Sequence, residues 1–379
     1  MKKILYFFII ILFTSFFTVS AQHSKIYQDI YEEQFKLSGA DKLEENLPEE
    51  SSKILDSLGI TGSNWKEISN LTPEKLFNEI IDTGKSKLST PFSALLPVLA
   101  IILLNAIINT LKTSFGSQHM TEIITVVSAL CVCLCIVNPI VKSISSMAII
   151  IKCAAGFMLC YIPIMTGIMI ATGQSISATS YHVVMMGAGQ IISQISSNFL
   201  IPIMNTVLGI SVISSLSPRL NLNSICDSFN KLIKWILGFM ISTFVGFLTV
   251  QNIVTSSADN ISCKTMKFAL TNFVPIVGNA LSDAFSTVNG CINLLKSGMG
   301  AFGILAGGAI FMPLIMECSA WIMFLNMCAV TSDIFEIKRV SGLLRSTSKV
   351  MGTMLAIILC CMMILIVSTV LILIVGGNR

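Results

Sequence analysis

A single carboxylate, Glu317, stands inside the long apolar run from Met299 to Val330, with Trp321 one helical turn further on. An ionised group in hydrocarbon is costly unless it has a task or a partner. Glu317 therefore reads either as an intramembrane proton or ion site or as a group tied to a polar side chain on a neighbouring helix. Asp259 and Asp283 lie in a more polar stretch. Asp283 suits cation coordination, the lining of a lumen, or a hydrogen bond across a helix contact, and the contact is the leading use. His23, His119 and His182 are scattered, and His119 with Glu122 reads as the solvated face of a short loop. Cys131-x-Cys133-x-Cys135 offers soft-metal ligand types, but on a helix a spacing of two turns the middle thiol away from the outer pair. With no histidine nearby, these thiols read as small packing groups. No His-Glu-x-x-His, phosphate-cradling Gly loop or Gly-x-Ser-x-Gly occurs. Neither an enzyme nor a cofactor nor a bound metal is expected.

The stretch from Asp259 to Lys296 is two-faced. Val277, Leu281, Ala284, Val288, Ile292 and Leu295 recur every three or four residues, which puts them on one side of a helix. The other side carries Asn279, Ser282, Asp283, Ser286, Asn289 and Asn293. Lipid does not solvate such groups, so this polar stripe is expected to meet water, another protein helix or an aqueous lumen, with the apolar stripe seated on the bundle. Pro275 and Gly278 mark a bend ahead of the long amphipathic helix.

The elements that position these groups are helical and membranous. Of 379 residues, 54% are hydrophobic and only 12% charged, about half the charge share of a soluble domain. The expected class is all-α: a polytopic membrane bundle with an N-terminal signal peptide and a small helical extracytoplasmic segment. Lys2 and Lys3, the apolar run Ile4 to Phe17 and the small residues before Gln22 read as the signal, residues 1–21. Residues 22–90 are acidic, hold no cysteine and read as extracytoplasmic. Thr72, Pro73 and Glu74 look like the start of a helix whose apolar face is Leu76, Phe77, Ile80 and Ile81. Residues 91–379 read as the multi-pass domain, with residues 257–298 as an amphipathic or re-entrant insertion. Candidate spans are Phe92–Leu111, Ile123–Val141, Cys153–Thr172, Asn198–Leu216, Leu232–Val254, Met299–Val330 and Val350–Val375, and a weaker one runs from Tyr181 to Gln194. This gives seven or eight crossings. Gly303 and Gly307 form a Gly-x-x-x-Gly pair suited to close helix packing, within the chain or between subunits. Nothing in the charge pattern suggests nucleic acid.

The run from Ser257 through Asp259, Lys264, Lys267, Asn272, Pro275 and Gly278 to Asp283 and Val288 resembles the best-marked segment of the stage III sporulation protein AE family, and the order of segments agrees over nearly the full length. Asn260 stands where that pattern has Gly, a change that a left-handed turn tolerates. The resemblance implies a non-enzymatic membrane component, in the mother-cell-derived membrane around the forespore, of a channel-like complex that resembles secretion-system parts. It implies partners among the other stage III A-operon membrane proteins and a forespore membrane protein, a role in forespore development after engulfment, and no catalytic residues. Self-association is a further expectation. The rival class is a secondary transporter using polar intramembrane residues such as Glu317.

Overall fold

Long apolar runs have one way to satisfy their backbone away from water, the helix, and the chain uses it almost throughout. The computed structural model describes residues 32–60, 68, 71–112, 118–195, 198–199, 201–216, 223–273 and 278–374. Among them there is no strand. The signal peptide expected at residues 1–21 lies outside the described residues.

Two short 3-10 turns, Ala40–Lys42 and Glu44–Asn46, precede α1 (Glu49–Ser57). The main helices follow: α2 (Pro73–Lys112), α3 (Gln118–Ala171), α4 (Ser175–Ile195), α5 (Ile201–Leu216), α6 (Asn223–Phe273), α7 (Gly278–Ile334) and α8 (Lys338–Ile374). Five of these contain stretches long and apolar enough to cross a membrane, within α2, α3, α6, α7 and α8, and Ile201–Ser214 is a shorter apolar helix. The fold is an all-α membrane bundle.

Contacts fix the register. Gly300 faces Leu373 and Gly307 faces Leu365, so α7 and α8 form an antiparallel hairpin. Ser143 meets Glu317 and Phe157 meets Phe302, so α3 also runs antiparallel to α7. Gly84 abuts Met316 and Phe92 packs edge-on against Phe324, so α2 runs parallel to α7. Asp227 pairs with Lys349 and Asn230 with Thr353, so α6 runs parallel to α8. α4 returns along α3, with Gly189 beside Met158, and α5 continues that return to Cys226 at the start of α6. The result is six lengthwise passes: α2, α3, α4 with α5, α6, α7 and α8.

The spans expected from the sequence do not map one to one onto these helices. The spans Ile123–Val141 and Cys153–Thr172 are one continuous helix, α3. Between them, Lys142 and Lys152 are exposed while Ser143, Ile144, Met147 and Ile151 point inward. Charge on the outer face of a helix does not interrupt its hydrogen bonds. The weak span Tyr181–Gln194 and the span Asn198–Leu216 likewise share a single pass.

The N-terminal segment is not separate from the bundle. Ala40, Leu43, Leu47, Leu55, Leu58 and Ile60 are buried in the same apolar core as the long helices, and α1 packs against α7. Lys87 of α2 pairs with Glu50 of α1 at 2.6 Å. Within α1, Lys53 holds the exposed Glu49 carboxyl below its ordinary range. α2 starts at Pro73 with Glu74 in its first turn, as expected, and continues unbroken through residue 90. Its expected apolar face is divided: Leu76 packs on the core, whereas Phe77 is 62% exposed and Ile81 is also exposed. The seam is set by Gly84, where a Cβ would meet the Met316 side chain. Counting back in fours from Gly84 reaches Ile80 and Leu76, which leaves Phe77 and Ile81 turned outward.

Three helix ends share one solution. After α1, α3 and α7, the residues Gly59, Gly173 and Glu336 adopt left-handed φ of 77°, 79° and 56°. The two following amides reach back in the paired pattern that closes such ends: Ile60 to Leu55, Gln174 to Met169 and Ile337 to Ser332. Glu336 has a Cβ in this strained region, and the buried Ser332 hydroxyl donating to the Ile337 carbonyl at 3.0 Å helps to hold the turn.

Candidate functional site

The residues marked by the sequence fall mainly into the α6–α7 hairpin and a polar contact at Glu317 deep in the bundle, and a second buried polar contact lies at the root of the hairpin. Asp259, Lys264, Lys267 and Asn272 lie on the last part of α6, and Gly278, Asn279, Ser282, Asp283 and Ser286 on the first part of α7. Pro275, between these two helices in the sequence, lies outside the described residues, as do the side chains of the other nine. Leu373 near the end of α8 meets Gly300. The stretch of α7 before Gly300 therefore runs on beyond α8 by roughly 30 Å at 1.5 Å per residue. The marked segment is the end of α6 and the start of α7, beyond the described end of α8.

At the base of this hairpin the two faces can be compared with expectation. Ile292 and Leu295 are buried, as the apolar stripe requires. Val288 of the same stripe is 39% exposed, and Asn289 of the polar stripe is only 9% exposed. The assignment is reversed at these two positions, and Asn293 is half-buried. Close to its base the helix meets α3 and the turn after it, through Tyr161 and Gln174, so no single stripe stays outward. The Asn289 side-chain oxygen is buried without a hydrogen-bond partner among the described residues.

One turn below, Lys296 is buried and its Nζ donates to Gln174 Oε1 at 3.1 Å. Gln174 is itself buried and sits just after the left-handed Gly173, where the turn from α3 to α4 aims it inward. Close by, the buried Tyr161 hydroxyl donates to the Met299 carbonyl at 3.1 Å. These contacts fix the root of α7 to α3 and to the turn that follows it. Sequence reading missed the Lys296–Gln174 contact; the one available signal was a lysine at the edge of an apolar run.

Glu317 has found a partner. Ser143 Oγ donates to Glu317 Oε1 at 2.6 Å and accepts the Trp321 indole N–H at 3.3 Å. Serine has one proton to give, and with Trp321 occupying its oxygen that proton goes to the carboxyl, which acts as acceptor. Beside it, Cys318 approaches Met147 at 3.5 Å. Among the described residues no Lys or Arg forms an ion pair with Glu317. The arrangement joins α3 to α7.

Gly303 and Gly307 serve packing within the chain. A Cβ at Gly303 would lie 2.7 Å from the Tyr161 hydroxyl and 2.8 Å from Thr369 Cγ2, and one at Gly307 would lie 2.5 Å from Leu365. Of the three spaced cysteines, Cys131 is exposed and Cys133 and Cys135 are half-buried, all as free thiols. Among the described residues no group of three or more His, Cys, Asp or Glu is placed to hold a metal.

Comparison with known proteins gives the same direction. Residues 61–376 match the family described as Stage III sporulation protein AE. The Stage III sporulation protein AE of Bacillus subtilis (strain 168) is similar, with 21% identity over 229 residues, 60% of this chain and 55% of that protein. The matched part thus spans about half the length of that relative. No solved structure matches the chain. The family match takes in the α6–α7 hairpin, both polar contacts and the glycine seam, and the chain belongs to the stage III sporulation protein AE family.

Proposed function

We propose that the chain is a non-enzymatic assembly component of a channel-like complex joining mother cell and forespore, needed for forespore development after engulfment. It would sit in the mother-cell-derived membrane around the forespore, with the N-terminal segment extracytoplasmic, and hold other stage III A-operon membrane proteins and a forespore membrane partner. The observation that carries this reading is the family match over residues 61–376. The hairpin supports it: the segment that marks the family is the part of the long helices extending past α8. The Lys296–Gln174 contact and the α7–α8 seam hold that segment from below. A permease reading gains nothing from Glu317, whose carboxyl is engaged by Ser143 within the bundle.

The hairpin is tested by replacing Ser282 and Ser286 with Leu together. Asn289 is left alone because it is buried. The double variant is expected to insert in the membrane at wild-type level and to lose at least tenfold in recovery of the complex and in spore yield. Wild-type recovery from this variant would count against the hairpin as the contact site.

A further inference from the structure

Charged side chains gather at one level of the bundle. Gly84 abuts Met316 and Phe92 packs on Phe324, so Lys85 and Lys87 of α2 lie level with Glu317 and the turn after it. Glu50 of α1 reaches the same level through its pair with Lys87. Lys142 adjoins Ser143, which meets Glu317 directly. Leu365 lies against Gly307, and counting back along α8 puts Thr353 level with Ser319. Thr353 bonds Asn230 and Lys349 pairs with Asp227, which brings Lys231 and Lys234 of α6 to that level too. These groups fall beside residues 315–323 of α7, a layer of roughly 12 Å at 1.5 Å per residue.

Lys85, Lys142, Lys231, Lys234 and Lys349 are exposed, and the outer side of α1 exposes both acids and Lys53. An ionised group is costly in hydrocarbon. One lysine reaches water along its own stem. Charge on five elements, α1, α2, α3, α6 and α8, at one height requires water or headgroups at that height. The lengths of the helices call for such a level. α3 has 54 residues and α7 has 57, about 81 and 86 Å at 1.5 Å per residue, against roughly 30 Å of hydrocarbon. A boundary must cross them, and the charged layer says where.

The signs in the layer are unequal. On α3, α6 and α8 it holds Lys142, Lys231, Lys234 and Lys349 against one acid, Asp227, which pairs with Lys349 at 2.8 Å. Among the described residues no ion pair takes up Lys142, Lys231 or Lys234. Lipid phosphates are the anions a membrane offers at such a level. Beside Lys234, Trp235 stacks on Phe239 at 5.8 Å, and tryptophan favours that zone.

We infer that this layer meets lipid headgroups: a membrane–water interface crosses the bundle at the level of Glu317, and hydrocarbon does not pass it. Glu317 is half-buried, with Oε1 on the Ser143 hydroxyl. The one carboxylate in the apolar run of α7 then needs no cation, because water and headgroups lie beside it. The inference rests on the membrane fold and not on the assembly reading.

The test uses the full chain in vesicles of phosphatidylethanolamine and phosphatidylglycerol, with Cys131→Ser removing the exposed native thiol. Lys142→Cys, Lys234→Cys and Ser319→Cys, on three helices, and the outlying exposed positions Leu104→Cys and Phe247→Cys are each spin-labelled, and the signal of the Cys131→Ser parent is subtracted. Collisions with oxygen, which concentrates in hydrocarbon, are compared with those of a water-soluble nickel chelate. The three labels in the layer are expected to favour the chelate at least twofold, and at least one of Leu104 and Phe247 to favour oxygen by as much. Labels in the layer that favour oxygen would mean that hydrocarbon passes Glu317. Labels there shielded from both reagents would mean that protein covers the layer, and labels favouring the chelate at all five positions would leave no boundary. Each of these overturns the inference. The chain is alone in these vesicles, so a failure here leaves the hairpin test untouched.

Discussion

Leucine at Gly303 is expected to unfold or split the α7–α8 hairpin more effectively than any other single change on that seam. The first added carbon already falls 2.7 Å from the Tyr161 hydroxyl, 2.8 Å from Thr369 Cγ2 and 2.8 Å from Tyr161 Cζ. Three neighbours from two helices, α3 and α8, would have to move together, and Tyr161 is held by its bond to the Met299 carbonyl. Overpacking of this kind costs about 1–3 kcal/mol or more. Gly308 is the control, since nothing lies within 4 Å of a Cβ built there. Thermal scans of the detergent-extracted proteins should show Gly303→Leu with a markedly lower midpoint, or no folded fraction, and Gly308→Leu near wild type. Equal midpoints for the two would show that the seam is not closed as described.

Methionine at Lys296 should loosen the root of the hairpin. The replacement keeps the length of the stem but removes the Nζ donor that the buried Gln174 Oε1 accepts from. A buried acceptor left unpaired costs about 1–3 kcal/mol, whereas replacing both partners by apolar groups is close to neutral. Lys296→Met is therefore expected to destabilise by about that amount, and the pair Lys296→Met with Gln174→Leu to recover most of it. The measurement is the same thermal scan, with proteolysis of the α6–α7 tip as a local readout. If the double variant is worse than the single one, the ammonium serves something other than Gln174.

The legible part of this fold followed from patterns local in sequence. The apolar runs named the helices, and Thr72, Pro73 and Glu74 located the start of α2. What could not be read depended on which way a residue turns or on pairings between remote positions. Ile123–Val141 and Cys153–Thr172 read as two spans because a sequence does not show that the lysines between them, Lys142 and Lys152, both fall on the outer face of one helix. Ser143 is 174 residues from Glu317, and no spacing rule links them. Gly303 and Gly307 announced a close approach without naming the neighbour, and the neighbours proved to be Tyr161, Thr369 and Leu365. The divided face of α2 has the same origin: Phe77 and Ile81 share the period of a buried stripe, but the position of Gly84 decides where that stripe ends.

The marked hairpin shows how far pattern can mislead near a junction. Its spacing gives two clean faces on paper, yet at its base Asn289 turns in and Val288 turns out. Periodicity describes an isolated helix beside one surface. Where a helix enters a bundle, it has neighbours on several sides and the polar groups are placed by them.

The most direct test is recovery of the tagged chain from sporulating cells as engulfment ends, followed by identification of what comes with it. An assembly component should bring the other stage III A-operon membrane proteins in fixed ratio, and lose them when Ser282 and Ser286 are leucine. A chain recovered alone, and able after purification to carry a solute into liposomes in a manner abolished by Glu317→Gln, would contradict the account and place the function in transport.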